Sequence, residues 1–174
     1  RPAEFRALRH ARTVRPHARP VPEALPDSRR RPVWLFDLDD TLHDASHAIF
    51  RTIDRRMTDY VARELEVARD EANRLRTLYW RRYGATLLGL VRPHGVDAHH
   101  FLRETHDFDV GELLRADRGL ARLFARLPGR KVLLTNAPRA YAGSVLRELQ
   151  LHSHIAARYT IERMRIHGSF RPKP

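Results

Sequence analysis

Residues 33–42 read V-W-L-F-D-L-D-D-T-L, and their acids and hydroxyl are the side chains best spaced to do chemistry. Four apolar residues, Val33 to Phe36, describe a short strand buried on both faces. Asp37 and Asp39 follow it two positions apart, with Thr41 next. The period of two turns both acids toward one crevice if the strand runs parallel to its neighbours. Two anions that close repel, and a divalent cation would relieve them. The competing reading is an acidic turn that caps the following helix, a role that Asp and Thr fill well. On spacing alone the two readings balance.

Further along, Thr135-Asn136 ends the apolar run K-V-L-L-T, and Lys173 lies between prolines in R-P-K-P. Carboxylates, a hydroxyl and a lysine at the ends of core elements suit phosphoryl transfer. One Asp can attack phosphorus, the second can shuttle the proton of the leaving group, and hydroxyl and lysine can hold the phosphoryl oxygens.

Such residues need a scaffold to converge. The 174 residues suffice for one domain with a real core, and 42% apolar with 31% charged residues is a globular composition. No apolar run reaches the length of a membrane span, and no apolar stretch marks a signal peptide. The chain has no cysteine, which excludes disulfides, thiolate metal sites and cysteine nucleophiles and fits a cytoplasmic protein. The net charge of +12 raises the question of nucleic acid. Much of it sits at one end: residues 1–32 hold nine Arg against three acids, with six of the eleven prolines. Residues 1–31 therefore read as a poorly ordered basic arm outside the core. They lack the interleaved aromatics of a nucleic-acid arm, so that role is a lesser alternative.

From residue 45 to 110 nothing reads as a strand. Ile49, Ile53, Met57, Val61 and Leu65 recur every four residues, and Ala72, Leu75 and Tyr79 continue in a second helix that stops at Gly84. Leu87, Leu88 and Leu90 mark a third helix ending near Pro93 and Gly95, and Asp97 caps a fourth with Phe101 and Leu102 on one side. Leu120, Leu123, Phe124 and Leu127 then stripe a helix closed by Pro128-Gly129. A strand over 131–135, a helix opened by Pro138 with Tyr141, Val145, Leu146 and Leu149 inward, and a strand at 159–161 complete the pattern. The fold class is thus α/β: a Rossmann-like, doubly wound parallel sheet from residues 32–44 and 111–174, with an all-helical cap over 45–110 inserted after the first strand.

D-L-D-D-T-L, T-N-A-P and R-P-K-P, in that order, resemble the first three motifs of the haloacid dehalogenase superfamily of phosphohydrolases. W-R-R-Y-G-A-T-L-L-G-L-V and K-V-L-L-T-N-A-P look like its pyrimidine 5′-nucleotidase branch. The resemblance runs over residues 31–174. It implies a phosphatase acting on small phosphomonoesters, pyrimidine nucleoside 5′-monophosphates in particular. It makes Asp37 the nucleophile that becomes an aspartyl-phosphate, and Asp39 the acid that protonates the leaving oxygen and later activates water. Thr135, Asn136 and Lys173 would bind the phosphoryl group. Mg2+ would be held by the carboxylate of Asp37 and the backbone carbonyl of Asp39, and the helical insert would close over the site. A fourth motif, an acidic pair after a further strand, is expected beyond Lys173, so the chain reads as cut before it. A phosphate- or nucleotide-binding protein without turnover is therefore the alternative.

Other residues carry less. Asp40 reads as a turn cap. His94, His99, His100 and His106 bring imidazoles near carboxylates, but adjacent His99 and His100 diverge by about 100° on a helix, which favours surface or hinge roles over a metal site. Tyr79, Trp80 and Tyr83 could stack on a base or pack within the cap. Tyr83, Thr86 and Arg92 are the weaker candidates for substrate selection.

Overall fold

The computed structural model describes residues 31–166, 169 and 170, with side chains through residue 164. Residues 1–30 of the arm and Lys173 lie outside the described residues.

β1 (Val33–Phe36) is followed by four helices, α1 (Ile49–Glu64), α2 (Arg69–Tyr83), α3 (Thr86–His94) and α4 (Ala98–His106). Then come α5 (Leu120–Arg126), β2 (Arg130–Leu134), α6 (Arg139–Glu148) and β3 (Ala157–Tyr159). A 3-10 turn (Ile161–Arg163) leads to β4 (Arg165–Ile166), which pairs antiparallel with β5 (Ser169–Phe170). The three main strands form a parallel sheet in the order β1-β2-β3. The chain thus has the α/β, Rossmann-like core that its pattern predicts.

The register decides what the sheet can present. Phe36 lies beside Leu133, and Leu134 beside Tyr159. All three strands therefore release their next residues at one edge: Asp37 to Asp39, Thr135-Asn136, and Thr160 to Glu162. Entry to β2 is set by a close approach. The N–H of Arg130 donates to the carbonyl of Pro32 at 2.9 Å, just after Gly129 turns with φ +91°. A Cβ on Gly129 would lie 2.1 Å from that carbonyl oxygen, so a side chain cannot be accommodated there.

Two apolar clusters share α1. Ile49 and Ile53 join Leu38, Phe124, Leu133, Val145 and Leu146 around the sheet. About two turns later Tyr60 and Val61 join Tyr79, Leu88, Leu90 and Phe101 among the helices. Met57 touches both clusters. The four-residue spacing thus does more than make α1 amphipathic: it lets one helix serve two cores. Asp97 caps α4 as its position predicts, accepting the N–H of His100, and Gly84 ends α2 in the left-handed conformation.

β1 departs from expectation. It is not buried on both faces: Val33 is 67% and Leu35 63% exposed. Among the described residues β1 has only β2 beside it and stands at the edge of the sheet, which leaves these side chains uncovered. The central position belongs to β2, where Val132 and Leu133 are buried. β1 is anchored instead by Phe36, whose ring centroid lies 4.7 Å from that of Phe124, and by the indole N–H of Trp34, which donates to the carbonyl of Pro128 at 2.7 Å. The third strand also sits two residues earlier than expected. Tyr159 is its last residue, because the N–H of Ile161 turns away to the carbonyl of Ala137.

Candidate active site at the carboxyl edge of the sheet

The turn after β1 is built around Leu38. Its side chain is fully buried, and its carbonyl accepts the N–H of Leu42 at 2.8 Å. With Leu38 sunk into the core, Asp37 and Asp39 on either side of it stay partly exposed. Asp40 takes a left-handed φ of 54° and accepts both the N–H and the hydroxyl of Ser46, at 2.9 and 2.6 Å. Those bonds, the hydroxyl first, hold its pKa below the usual carboxylate value, so Asp40 serves the turn.

Asp37 accepts the N–H of Leu38 at 2.7 Å on Oδ1. Asp39 is held from two sides through a single oxygen. Its Oδ1 receives the hydroxyl of Tyr141 at 2.8 Å and lies 3.0 Å from Nε2 of His43. The side chain of His43 is inaccessible to solvent, and its Nδ1 has no partner among the described residues. A carboxylate needs a donor, so Nε2 carries the proton that faces Asp39.

At the end of β2, the buried hydroxyl of Thr135 accepts the N–H of Ala137 at 3.1 Å. The same interaction fixes the T-N-A-P turn and leaves the hydroxyl proton available as a donor. Asn136 is exposed beside it. At the end of β3, Glu162 accepts the first N–H of α6, from Arg139, at 2.8 Å. The other oxygen of Glu162 and the hydroxyl of Thr160 are buried with no partner among the described residues.

A cavity of about 420 Å³ lies between α4 and α6, lined by His99, Arg103, His106, Tyr141, Ser144 and Glu162 among others. Tyr141 thus faces both the cavity and Asp39. Burial first, then the charge of Asp39, raises its pKa well above the usual phenol value, so the hydroxyl keeps its proton. The ring of His106 meets that of Tyr141 edge-on, with centroids 5.6 Å apart. His106 is half-buried, and burial pulls the pKa of its imidazole down to about 4. A second hollow of about 630 Å³ is lined by the 40–46 turn together with Arg115 and Asp117. Asp37 lines neither of these two spaces.

The other candidates fall elsewhere. Tyr83 packs beside Tyr79, with the guanidinium groups of Arg82 and Arg92 over its ring. Thr86 is buried and donates to the carbonyl of Arg76 at 3.1 Å. These three residues hold α2 against α3 and are not part of the cavity beside Tyr141. His94 and His100 are engaged by the hydroxyls of Tyr79 and Tyr60. Among the described residues no group of three His, Asp or Glu comes together to hold a metal. The oxygens of Asp37 and the carbonyl of Asp39 nonetheless suit a hard cation such as Mg2+, which accepts one or two protein oxygens when waters and a phosphate supply the rest.

Sequence reasoning placed Tyr141 on the packing face of α6 and overlooked His43. The spacing of four between Asp39 and His43 was a local signal for their pairing. The contact with Tyr141 spans 102 residues and has no local signature.

No known family model matches the chain. A stretch of 77 residues is 32% identical to Phosphate metabolism protein 8 of Saccharomyces cerevisiae, covering 44% of this chain and 24% of that protein. Among solved structures, a HAD phosphatase from Thermococcus onnurineus is similar over 76% of this chain and 62% of its own, with 16% identity and a TM-score of 0.48. A HAD-superfamily hydrolase from Geobacter sulfurreducens is similar over 75% and 63%, with 19% identity and a TM-score of 0.38. The chain therefore spans about a quarter of the curated relative and under two thirds of either structure. At these identities and scores the structural likenesses carry no weight for activity.

Proposed function

We propose that this chain carries the catalytic edge of a phosphomonoester hydrolase of the haloacid dehalogenase type. The observation that carries the reading is the parallel register. It delivers Asp37 and Asp39 from β1 and Thr135 from β2 to one edge of the sheet. The stretch shared with a phosphate metabolism protein supports the same reading.

In this reading a carboxylate oxygen of Asp37 attacks phosphorus, and the bond from phosphorus to the ester oxygen breaks. Asp39 gives its proton to that oxygen. It then takes a proton from the water that releases phosphate from Asp37, which restores both side chains. Thr135, through its spare hydroxyl proton, and Asn136 hold the phosphoryl oxygens, and Lys173 is the cation assigned to neutralise them. Asp37 and the carbonyl of Asp39 would hold Mg2+, which when bound offsets negative charge on the phosphoryl group. The substrates are small phosphomonoesters, pyrimidine nucleoside 5′-monophosphates first among them, and the helical insert supplies the wall that meets the leaving group.

Phosphate release from uridine and cytidine monophosphates, with and without Mg2+, tests this against Asp37→Asn. Release that needs Mg2+ and vanishes in the variant supports the reading. Release that survives Asp37→Asn removes the nucleophile assignment. Binding of phosphate without turnover would favour a non-catalytic binding protein.

A further inference from the structure

The helix behind Asp39 does more than pack. Tyr141 is almost wholly buried, and its hydroxyl is spent on a carboxylate 102 residues away in sequence. His43 is enclosed as well, and gives its Nε2 to the same oxygen while Nδ1 goes without a partner among the described residues. A buried imidazole nitrogen left unsatisfied costs stability, as does a phenol hydroxyl taken from water. A fold that placed these two groups for packing alone would do better with apolar side chains. Both donors converge on Oδ1, and no hydrogen bond between described residues engages Oδ2.

We propose that Tyr141 and His43 are positioning residues for proton transfer, a two-donor clamp that reserves Oδ2 of Asp39 for the leaving group. This rests on the reading of Asp39 as the acid and base of a phosphatase. With Oδ1 accepting two hydrogen bonds, the proton of the acid form belongs on Oδ2. When the ester bond breaks, the Oδ2–H bond breaks with it and the proton passes to the ester oxygen. The charge left on the carboxylate is met at Oδ1 by donors already in place, which need no rearrangement. In the second step Oδ2 recovers a proton from the attacking water. The aromatic wall of Tyr141, formed by His106 at 5.6 Å and Phe108 at 6.0 Å between centroids, belongs to α4 and the loop after it. The orientation of the acid is thereby tied to the seating of the helical insert.

The test compares two substrates in Tyr141→Phe, a change that removes one oxygen and keeps the ring. An alkyl phosphate needs its leaving oxygen protonated, whereas p-nitrophenyl phosphate leaves as a stable phenolate without a proton. The clamp predicts that kcat/KM falls about tenfold or more further for the alkyl ester than for the aryl ester, part of the 10²–10⁴ that a positioned acid supplies. His43→Phe shows the same asymmetry. Equal losses on both esters, or none on either, overturn the assignment and leave Tyr141 a core residue. If wild-type protein hydrolyses neither ester, the phosphatase reading falls and the assignment with it. The geometry has its own readout, because His43 Nε2–H must appear in 15N-histidine NMR as an exchange-protected proton that shifts in Tyr141→Phe. Its absence from the wild-type spectrum overturns the clamp whatever the kinetics show.

Discussion

Acidification should unfold this protein through His106. The imidazole ordinarily titrates at 6.5 and in the fold at about 4, with burial the largest cause. Between those values the unfolded chain binds a proton that the folded chain refuses. The stability His106 allows is therefore complete above pH 6.5 and declines as the pH falls toward 4. Each unit of displacement is worth about 1.4 kcal/mol, so the loss comes to about 2 kcal/mol at pH 5 and about 3 kcal/mol near pH 4. Asp39 and Glu162 oppose the shift by attracting the proton, and their effect is already contained in the displaced value. The assay is urea unfolding followed by circular dichroism at pH 7 and pH 5, for wild type and His106→Gln. Glutamine keeps a polar group for the carbonyl of Leu102 but cannot titrate. Wild type should lose about 2 kcal/mol more than the variant over that interval. Parallel losses in the two proteins would refute the argument, because His106 would then titrate alike in both states.

Two further predictions concern the cores. Gly89 lies against Tyr79, where a Cβ would come 2.1 Å from the ring; Gly89→Ala should cost about 3 kcal/mol by forcing α2 from α3, read as a lowered thermal midpoint. An unchanged midpoint would mean the two helices are less closely packed than described. Phe124→Ala should cost about 4 kcal/mol, since this buried ring packs against Phe36 of an otherwise exposed β1, and a loss below 1 kcal/mol would contradict that anchoring role.

The parts of the fold legible in the sequence were those with local causes. Four-residue spacing marked α1, Asp97 and Gly84 marked helix ends, and K-V-L-L marked the buried central strand. The run V-W-L-F carries the same apolar signal, yet among the described residues it lies at the edge of the sheet. Hydrophobicity records what a strand could bury, and neighbours across the sheet decide what it does bury. The acids at 37 and 39 were equally visible, because their spacing is local. What surrounds Asp39 was not. A tyrosine on the inner stripe of α6 looks like core until the register of β1 and β2 brings its hydroxyl to that carboxylate. Glu162 had no visible task either, and its link to the first N–H of α6 depends on where β3 ends. Tyr83, Thr86 and Arg92, the weaker candidates for substrate selection, lie where α2 meets α3.

The central claim is that Asp37 attacks phosphorus, and chemical trapping tests it most directly. Protein mixed with p-nitrophenyl phosphate and Mg2+, quenched in acid within a turnover and reduced with borohydride, should yield a peptide in which Asp37 alone is converted to homoserine. The conversion should be absent from Asp37→Asn, which should also release no phosphate. Turnover without the mark on Asp37, or turnover that persists in Asp37→Asn, would contradict the account.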